Sequence, residues 1–442
     1  MTGVAARRGG AGTVAGDSST AAARPRRQRH RDNPDAYIAG DRRRALGDGR
    51  ELPDRVKGSA IFADISGFTP LTEALAKELG PQRGAEELTA ALDVVFDAVL
   101  GELHRFCGIV IYFSGDAVTC WLDGDDGLLG VACALAMQRA MSSVCRITTP
   151  GGTEVELGMK LAVAAGPARR FVVGDPDIQL IDVLAGSLMD RLAAVEHHAE
   201  RGEVLVDAAT LDVLLGRVEV SAVRGTGDDR AAVVESVTTD VGPLPPPPPY
   251  PKLSRTVVRQ WLIPAVYERM RTGRGEFLSE LRPAVPMFIR FGGIDYDEDE
   301  DAPERLDEFI RRAQWLIDGH GGNVLQLTIG DKGAYLYAVF GSPLAHEDDT
   351  ARACAAALDV LALEGETAAV GLQIGLAKGR VRSGTYGHRQ RRTFCCLGDP
   401  VNLSARLMSA APPGEAYVTP EVAKGAAARF DFEELPAMAV KG

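Results

Sequence analysis

The sequence predicts an α+β protein made of two copies of one ferredoxin-like module, each with the order β-α-β-β-α-β. The main observation is a repeat, because the strands and helices indicated for residues 55–240 recur in the same order in residues 283–442. A second observation is the run at residues 241–249, whose consecutive prolines indicate a stiff, extended linker. With the connector that follows, this linker covers residues 241–282.

Length and composition narrow the class of protein. The chain has 442 residues, 45% of them apolar and 25% charged, as in globular proteins of two or three domains. A net charge of −12 argues against nucleic acid as a partner. The seven cysteines include no C-x-x-C pair, no apolar run reaches the length of a membrane span, and no signal peptide is evident. We therefore expect a cytoplasmic protein without a membrane span.

The first 54 residues are predicted to be a disordered tail and lead-in. Up to about residue 34 they are rich in Ala, Gly, Ser and Arg, and carry a basic cluster at residues 24–31. Such a composition cannot bury a core, and we interpret the cluster as part of a solvated tail.

The elements of the first module follow from hydrophobic patterns. We predict a strand at 59–65 and a helix in which apolar residues recur at helical spacing from 88 to 103. After these come a hairpin around Asp116 and a helix at about 128–141. Strands at 155–164 and 178–184 and a helix near 187–200 complete the module.

Two acidic residues interrupt apolar strands of this module. Asp64 lies within the run Ile61 to Thr69, where a lone carboxylate is costly unless it is paired, binds a metal ion or caps the next helix. Asp116 follows a Ser-Gly turn in the hairpin. If the hairpin lies beside the first strand, both carboxylates point to one place and suit octahedral Mg²⁺ or Mn²⁺.

The second module is predicted to begin after a connector helix at 257–271. Its elements are a strand at 285–294, a helix at 304–319, a hairpin at 324–335 and a helix at 347–363. Strands at 369–377 and near 392–397 and a helix at 401–409 follow.

The two acidic stretches, FADISGFT at 62–69 and FSGDAV at 113–118, resemble the catalytic core of the class III nucleotidyl cyclases. The tandem arrangement over residues 55–430 is similar to the bicarbonate-responsive soluble adenylyl cyclases. This resemblance implies that the two cyclase modules form an intramolecular pseudo-dimer that converts ATP to 3′,5′-cyclic AMP and pyrophosphate. It also implies two Mg²⁺ or Mn²⁺ ions held by Asp64, Ile65 and Asp116, with Phe68 and Thr69 binding the substrate.

The resemblance divides the remaining site residues unevenly between the modules. Aligning the strands places Arg290 at the position of Asp64, so the second module lacks the metal site. Its run GDPVNLSARLM implies that Asn402 orients the ribose and Arg406 stabilises charge on the α-phosphate. The corresponding first-module residues are Asp190 and Ala194, which implies one complete site and one degenerate counterpart.

The residues expected to select the base combine a feature of adenylyl cyclases with one of guanylyl cyclases. By the resemblance, Lys332 donates to adenine N1, while its partner position holds Cys395, which guanylyl cyclases tend to use. We expect ATP to be preferred, since an ammonium group cannot accept from guanine N1–H. Tyr112 stands where the soluble cyclases have a lysine, which argues against a bicarbonate response.

Two alternatives remain open from the sequence. One is a non-catalytic nucleotide-sensing module that regulates a larger ATPase protein, and the other is a guanylyl cyclase. Relatives of this kind often carry ATPase and helical-repeat domains downstream, so we expect such partners in a longer chain.

Overall fold

The computed structural model describes residues 33–239, 241–242, 244–272, 280–330 and 333–436. The predicted tail at residues 1–32 and the residues Asp331 and Lys332 lie outside the described residues. The lead-in is helical, with a 3₁₀ turn at Pro34–Tyr37 and helix α1 at Gly40–Gly47. Tyr37 and Ile38 are buried, so this stretch is part of the folded protein.

The first module has a long central strand and a long, bent first helix. Its elements are β1 (Arg55–Ser66), α2 (Phe68–Arg105), β2 (Ile109–Ser114), β3 (Ala117–Asp123), α3 (Leu128–Val144), β4 (Arg146–Thr148), β5 (Glu154–Glu156), β6 (Gly158–Val173), β7 (Ile181–Ala185), α4 (Ser187–His198), β8 (Val204–Asp207), α5 (Ala208–Val213), β9 (Val218–Arg224) and β10 (Ala231–Val237). The strands form a sheet in the order β2-β3-β1-β6-β8-β10-β9, with β7 on the far end of β6. The strand predicted at 155–164 covers parts of two strands. β5 ends at Glu156, Leu157 lies in neither strand, and β6 begins at Gly158.

The second module repeats this arrangement after two connector helices. Its elements are α6 (Arg255–Arg259), α7 (Pro264–Arg271), β11 (Glu280–Gly292), α8 (Ala302–Gly319), β12 (Asn323–Thr328), β13 (Ala334–Phe340), α9 (Asp349–Leu361), β14 (Val370–Leu376), β15 (Gly379–His388), β16 (Arg391–Leu397), α10 (Asp399–Ala410), β17 (Glu415–Val418) and α11 (Pro420–Ala426). The single connector helix predicted at 257–271 is wrong. Pro264 starts α7, and a residue before proline is pushed out of the helical region, so the chain breaks at Ile263.

Strand register shows that the modules are structural copies. Asp64 of β1 lies opposite Ala117 of β3, and Arg290 of β11 lies opposite Tyr335 of β13. The β2–β3 and β12–β13 hairpins each carry an irregularity at the same place, immediately before Tyr112 and Gln326 respectively. The predicted α+β class with two ferredoxin-like modules is therefore confirmed.

Each module has an arm, β6–β7 in the first and β15–β16 in the second, that packs against the other module. Two hydrophobic clusters therefore contain residues of both modules. One hydrophobic cluster joins Phe96 and Phe113 of the first module to Val381 and Tyr386 on the β15–β16 arm of the second. A second cluster joins the β6–β7 arm of the first module, for example Val183, to α8 and β11 of the second. Burial of this apolar surface favours the paired arrangement, and the two modules form an intramolecular pseudo-dimer.

Candidate active site between the two modules

Asp64 lies near the end of β1 at the boundary between the two modules. Its side chain is about one-third exposed, and its Oδ2 atom is 3.7 Å from the Nζ atom of Lys160 on the neighbouring strand β6. Burial raises the pKa of the Asp64 carboxyl, although the Lys160 ammonium opposes this effect.

Asp116 lies in the two-residue turn between β2 and β3, beside Asp64. Gly115 makes the turn possible, since its φ of 68° is in the left-handed region that favours glycine. Burial and the nearby charge of Asp64 raise the pKa of Asp116 to about 6. Two carboxylates that repel each other in this way form a donor pair for a divalent cation.

The rest of a metal coordination shell has to come from backbone or substrate oxygens. Within the described ranges there is no group of three or more His, Cys, Asp or Glu side chains placed to hold a metal ion. Ile65 has a fully buried side chain, so its available ligand atom is the backbone carbonyl oxygen. This donor set fits an Mg²⁺ or Mn²⁺ ion that keeps water and phosphate ligands.

Lys160 and Glu196 belong to the site and were missed from the sequence. The Lys160 Nζ atom is 2.5 Å from Oε1 of Glu196 on α4 and also faces Asp64. The contact depends on the register between β1 and β6, where Asp64 and Lys160 are direct partners. The available signal was an isolated lysine within a long apolar strand.

The first turn of α2 follows directly on the Asp64 strand. Gly67 precedes it with a φ of 100°, and a Cβ atom there would lie 2.9 Å from the carbonyl oxygen of Glu156. No side chain caps this helix end and its first turn contains no acidic residue. Phe68 is buried and Thr69 is exposed, so the backbone N–H groups of this turn are suited to bind an anion.

The second module brings the end of β16, just before α10, to the turn that carries Asp116. Tyr386 donates a 2.6 Å hydrogen bond from its hydroxyl to the Gly115 carbonyl oxygen. Leu397, two residues before α10, has its Cδ2 atom 3.9 Å from the place of a Cβ on Gly115. Asn402 is exposed and Arg406 half-buried, one helical turn apart on α10.

The candidate base-selecting residues are only partly described. Cys395 is 4% exposed and lies among the residues of the shared core, and burial raises the pKa of its thiol. Lys332 lies outside the described residues. The register makes Gln326 the counterpart of Tyr112, and the Gln326 Nε2 atom donates to the Ser114 Oγ atom at 2.7 Å. Gln326 was missed because the second hairpin has a longer turn than the first.

A cavity of about 150 Å³ lies between α4 and the second hairpin, on the side where the sequence predicts a degenerate site. Its described lining residues include no lysine or arginine, and they are Phe62, Tyr112, Ser114, Thr119, Met189, Leu192, Ala193, Glu196, Thr328, Ile329, Gly330, Gly333 and Tyr335. On the opposite side, the counterpart of Thr119 is Tyr337, whose ring stacks on Phe288 with centroids 4.5 Å apart.

Comparison with known proteins shows which family the second module resembles. Residues 297–442 match the family model of the adenylate and guanylate cyclase catalytic domain. The second module is thus similar to a nucleotidyl cyclase catalytic domain. The match begins after β11 and includes Asn402 and Arg406.

Relatives extend the similarity to both modules. The chain is 23% identical over 432 residues to human adenylate cyclase type 10 and 22% identical over 450 residues to the rabbit protein, covering 89% and 92% of this chain. It spans about a quarter of the length of these relatives. A solved structure, a class III adenylyl cyclase-like ATP-binding protein from Pseudomonas aeruginosa, has the same fold, with a TM-score of 0.58 and 12% identity over 84% of this chain and 85% of that one.

In the described part of the chain, no helix is long and apolar enough to cross a bilayer.

Proposed function

We propose that the protein is an adenylyl cyclase that converts ATP to 3′,5′-cyclic AMP and pyrophosphate at the interface between its modules. The observation that carries this proposal is a contact between the Asp116 turn of the first module and the second module. The Asp116 turn of the first module lies against Tyr386 and Leu397 of the second, at the beginning of the helix that holds Asn402 and Arg406.

The first module supplies the metal ligands in this proposal. Asp64, Asp116 and the Ile65 carbonyl would hold two Mg²⁺ or Mn²⁺ ions, which when bound activate the ribose 3′-hydroxyl and neutralise charge on the phosphates. The raised pKa values of the two carboxyls support this assignment, because burial, and for Asp116 also the charge of Asp64, disfavours their ionised forms, and a bound cation would offset both effects.

The triphosphate would lie against the first turn of α2 and the Lys160 ammonium. The backbone N–H groups of Phe68 and Thr69 are available there, and Lys160 places a positive charge beside Asp64. These contacts hold the β- and γ-phosphates and leave the α-phosphate facing the second module.

The second module acts on the reacting centre. The ribose 3′-oxygen attacks the α-phosphorus, its proton passes to solvent, and the bond from the α-phosphorus to the bridging oxygen breaks to release pyrophosphate. Asn402 holds the ribose in place. Arg406 stabilises the charge that builds on the α-phosphate oxygens, and such a contact typically contributes about 10²–10³ in rate.

Selection of ATP over GTP is part of the proposal. We assign it to Lys332 and Cys395. Gln326, at the register position of Tyr112, is a further candidate, because its amide both donates and accepts. A cation at Lys332 favours adenine, whose N1 atom is an acceptor.

The test is to incubate the purified chain with Mn²⁺ and either ATP or GTP and to separate the products by chromatography. We expect cyclic AMP from ATP and much less cyclic GMP from GTP. Cyclic GMP as the main product would replace this proposal by a guanylyl cyclase.

A second candidate is ATP binding without turnover. The buried Cys395 favours it, because a thiol is a poor acceptor for the adenine amino group and would hold the base less firmly for reaction. Tight ATP binding by calorimetry, with no cyclic product over hours, would support this candidate.

We place the activity in the cytoplasm, within a longer polypeptide that includes ATPase and repeat domains. All seven cysteines are free thiols, which fits a reducing compartment. The length of the relatives is consistent with additional domains.

A further inference from the structure

The outermost strand of the first-module sheet has a free edge in the described part of the chain. β9 is the last strand in the sheet order, and its other edge has no partner among the described strands. Five consecutive residues of β9, from Glu219 to Val223, are exposed. An exposed strand edge of this kind presents backbone N–H and C=O groups that can pair with another strand.

Apolar side chains lie along one face of this edge. Val220 is paired with Val234 of β10 and Val223 with Ala232, and both β10 partners belong to the shared core. The register shift at Ser221 puts the two β9 valines on the same face. Val220 is 38% exposed and Val223 is 54% exposed, so the apolar face of the sheet continues into solvent.

The sequence of β9 is complementary to itself when it runs antiparallel. A two-fold axis between Ser221 and Ala222 places Glu219 of one copy opposite Arg224 of a second copy. The same axis places Val220 opposite Val223 of the second copy on the apolar face. Moving the axis by half a residue either way sets Glu219 opposite Val223 or Arg224 opposite Val220, so charge and apolar matching select one register.

In the single chain both charged side chains bond inward, toward β10 and the start of β8, and would share these contacts with a second copy. Arg224 donates to Glu203, with Nη1 to Oε2 at 2.6 Å, and to the His198 carbonyl oxygen. Glu219 accepts a 2.7 Å hydrogen bond from Ser236. A guanidinium has five N–H donors, so Arg224 retains donors for a second carboxylate.

We propose that β9 is a self-association edge at which two copies of this chain pair antiparallel and join their first-module sheets. The pairing buries Val220 and Val223 of both copies and forms two Glu219–Arg224 ion pairs. β9 is at the opposite end of the sheet from β2, which leads into the Asp116 turn. The association therefore leaves the interface between the modules open and does not depend on the proposed activity.

The test uses sedimentation velocity of the full chain over a concentration series at low salt. We expect a reversible monomer–dimer equilibrium, and Glu219→Arg should raise its Kd at least about tenfold, because it puts like charges opposite each other twice per dimer. Glu235→Arg, with the same charge change at an exposed position of β10, should leave the Kd unchanged.

A charge swap makes the assignment specific. Arg224→Glu alone should also weaken the dimer, while an equimolar mixture of the Glu219→Arg and Arg224→Glu proteins should form a heterodimer with restored pairs. Arg224→Glu loses the contact with Glu203. If this variant does not fold for that reason, Glu219→Arg is a sufficient test by itself. A wild-type chain that stays monomeric at all concentrations, or a dimer unaffected by Glu219→Arg, overturns the proposal.

Discussion

The surroundings of Asp116 disfavour its ionised form. Burial and the Asp64 charge raise its pKa from 3.8 to about 6, so the metal-free folded state binds a proton more tightly than the unfolded chain does. Stability from this group is therefore present at low pH and is lost as the pH rises from about 4 through 6. A cation between the two carboxylates reverses this effect.

Asp116→Asn should thus stabilise the metal-free protein at pH 7.5 and have little effect near pH 4. With Mn²⁺ present the order should reverse, because the wild type alone gains stability from binding the ion. The measurement is the Tm as a function of pH with and without Mn²⁺, with Asp123→Asn at the other end of β3 as the control. A variant that is less stable without metal at pH 7.5 would contradict the assignment.

Lys160 gives a second prediction for a single side chain. Its ammonium faces Asp64 and the place proposed for the triphosphate, so Lys160→Ala should raise the KM for Mn²⁺·ATP about tenfold or more. Lys57→Ala, at an exposed position of β1, is the matched control. Steady-state kinetics measures KM separately from kcat. An unchanged KM would show that Lys160 does not bind the phosphates.

At the scale of elements, the hairpin that carries Asp116 is fixed from outside its own module. Arg391 at the start of β16 is half-buried, and burial lowers its pKa to about 10. It donates to the backbone carbonyl oxygens of Val110, Ile111 and Tyr37 at 3.3, 2.7 and 2.7 Å. One side chain therefore ties together β2, the lead-in and the arm of the second module.

Arg391→Met should keep the packing of the stem and leave these carbonyl groups without a donor. We expect a loss of about 2–5 kcal/mol in the free energy of unfolding, as for other broken buried networks. Chemical denaturation measures it, with the exposed Arg389→Met as control. A loss no larger than that of the control would mean that water or neighbouring groups replace the guanidinium.

The sequence predicted elements best where the hydrophobic pattern is local. The helices around residues 88–103 and 304–319 and the Asp116 hairpin were recognised because a period or a tight turn defines each of them. The strand β15 was missed, since eight consecutive residues are buried and show no alternation, with α2 of the other module packed against the strand. The prediction of one connector helix was wrong, because Pro264 interrupts the helix although the apolar spacing continues.

For the whole molecule, the prediction of two complementary modules depended on residues that are close in sequence. Asp64 and Asp116 follow recognisable motifs, and Asn402 and Arg406 share one helix. The contacts of Lys160 and Gln326 depend on strand register and on the exchange of arms, which a single sequence does not define. The assembled site is therefore a property of long-range packing.

The central claim is that one site combines metal ligands from the first module with Asn402 and Arg406 of the second within the same chain. The most direct measurement is cyclic AMP formation from ATP and Mn²⁺ by the wild type, Asp116→Asn, Arg406→Ala and an equimolar mixture of the two variants. We predict a loss of about 10²-fold or more in each variant and no recovery in the mixture, because each chain holds both halves of its own site. Normal activity in either variant, or activity restored by mixing, would contradict the account.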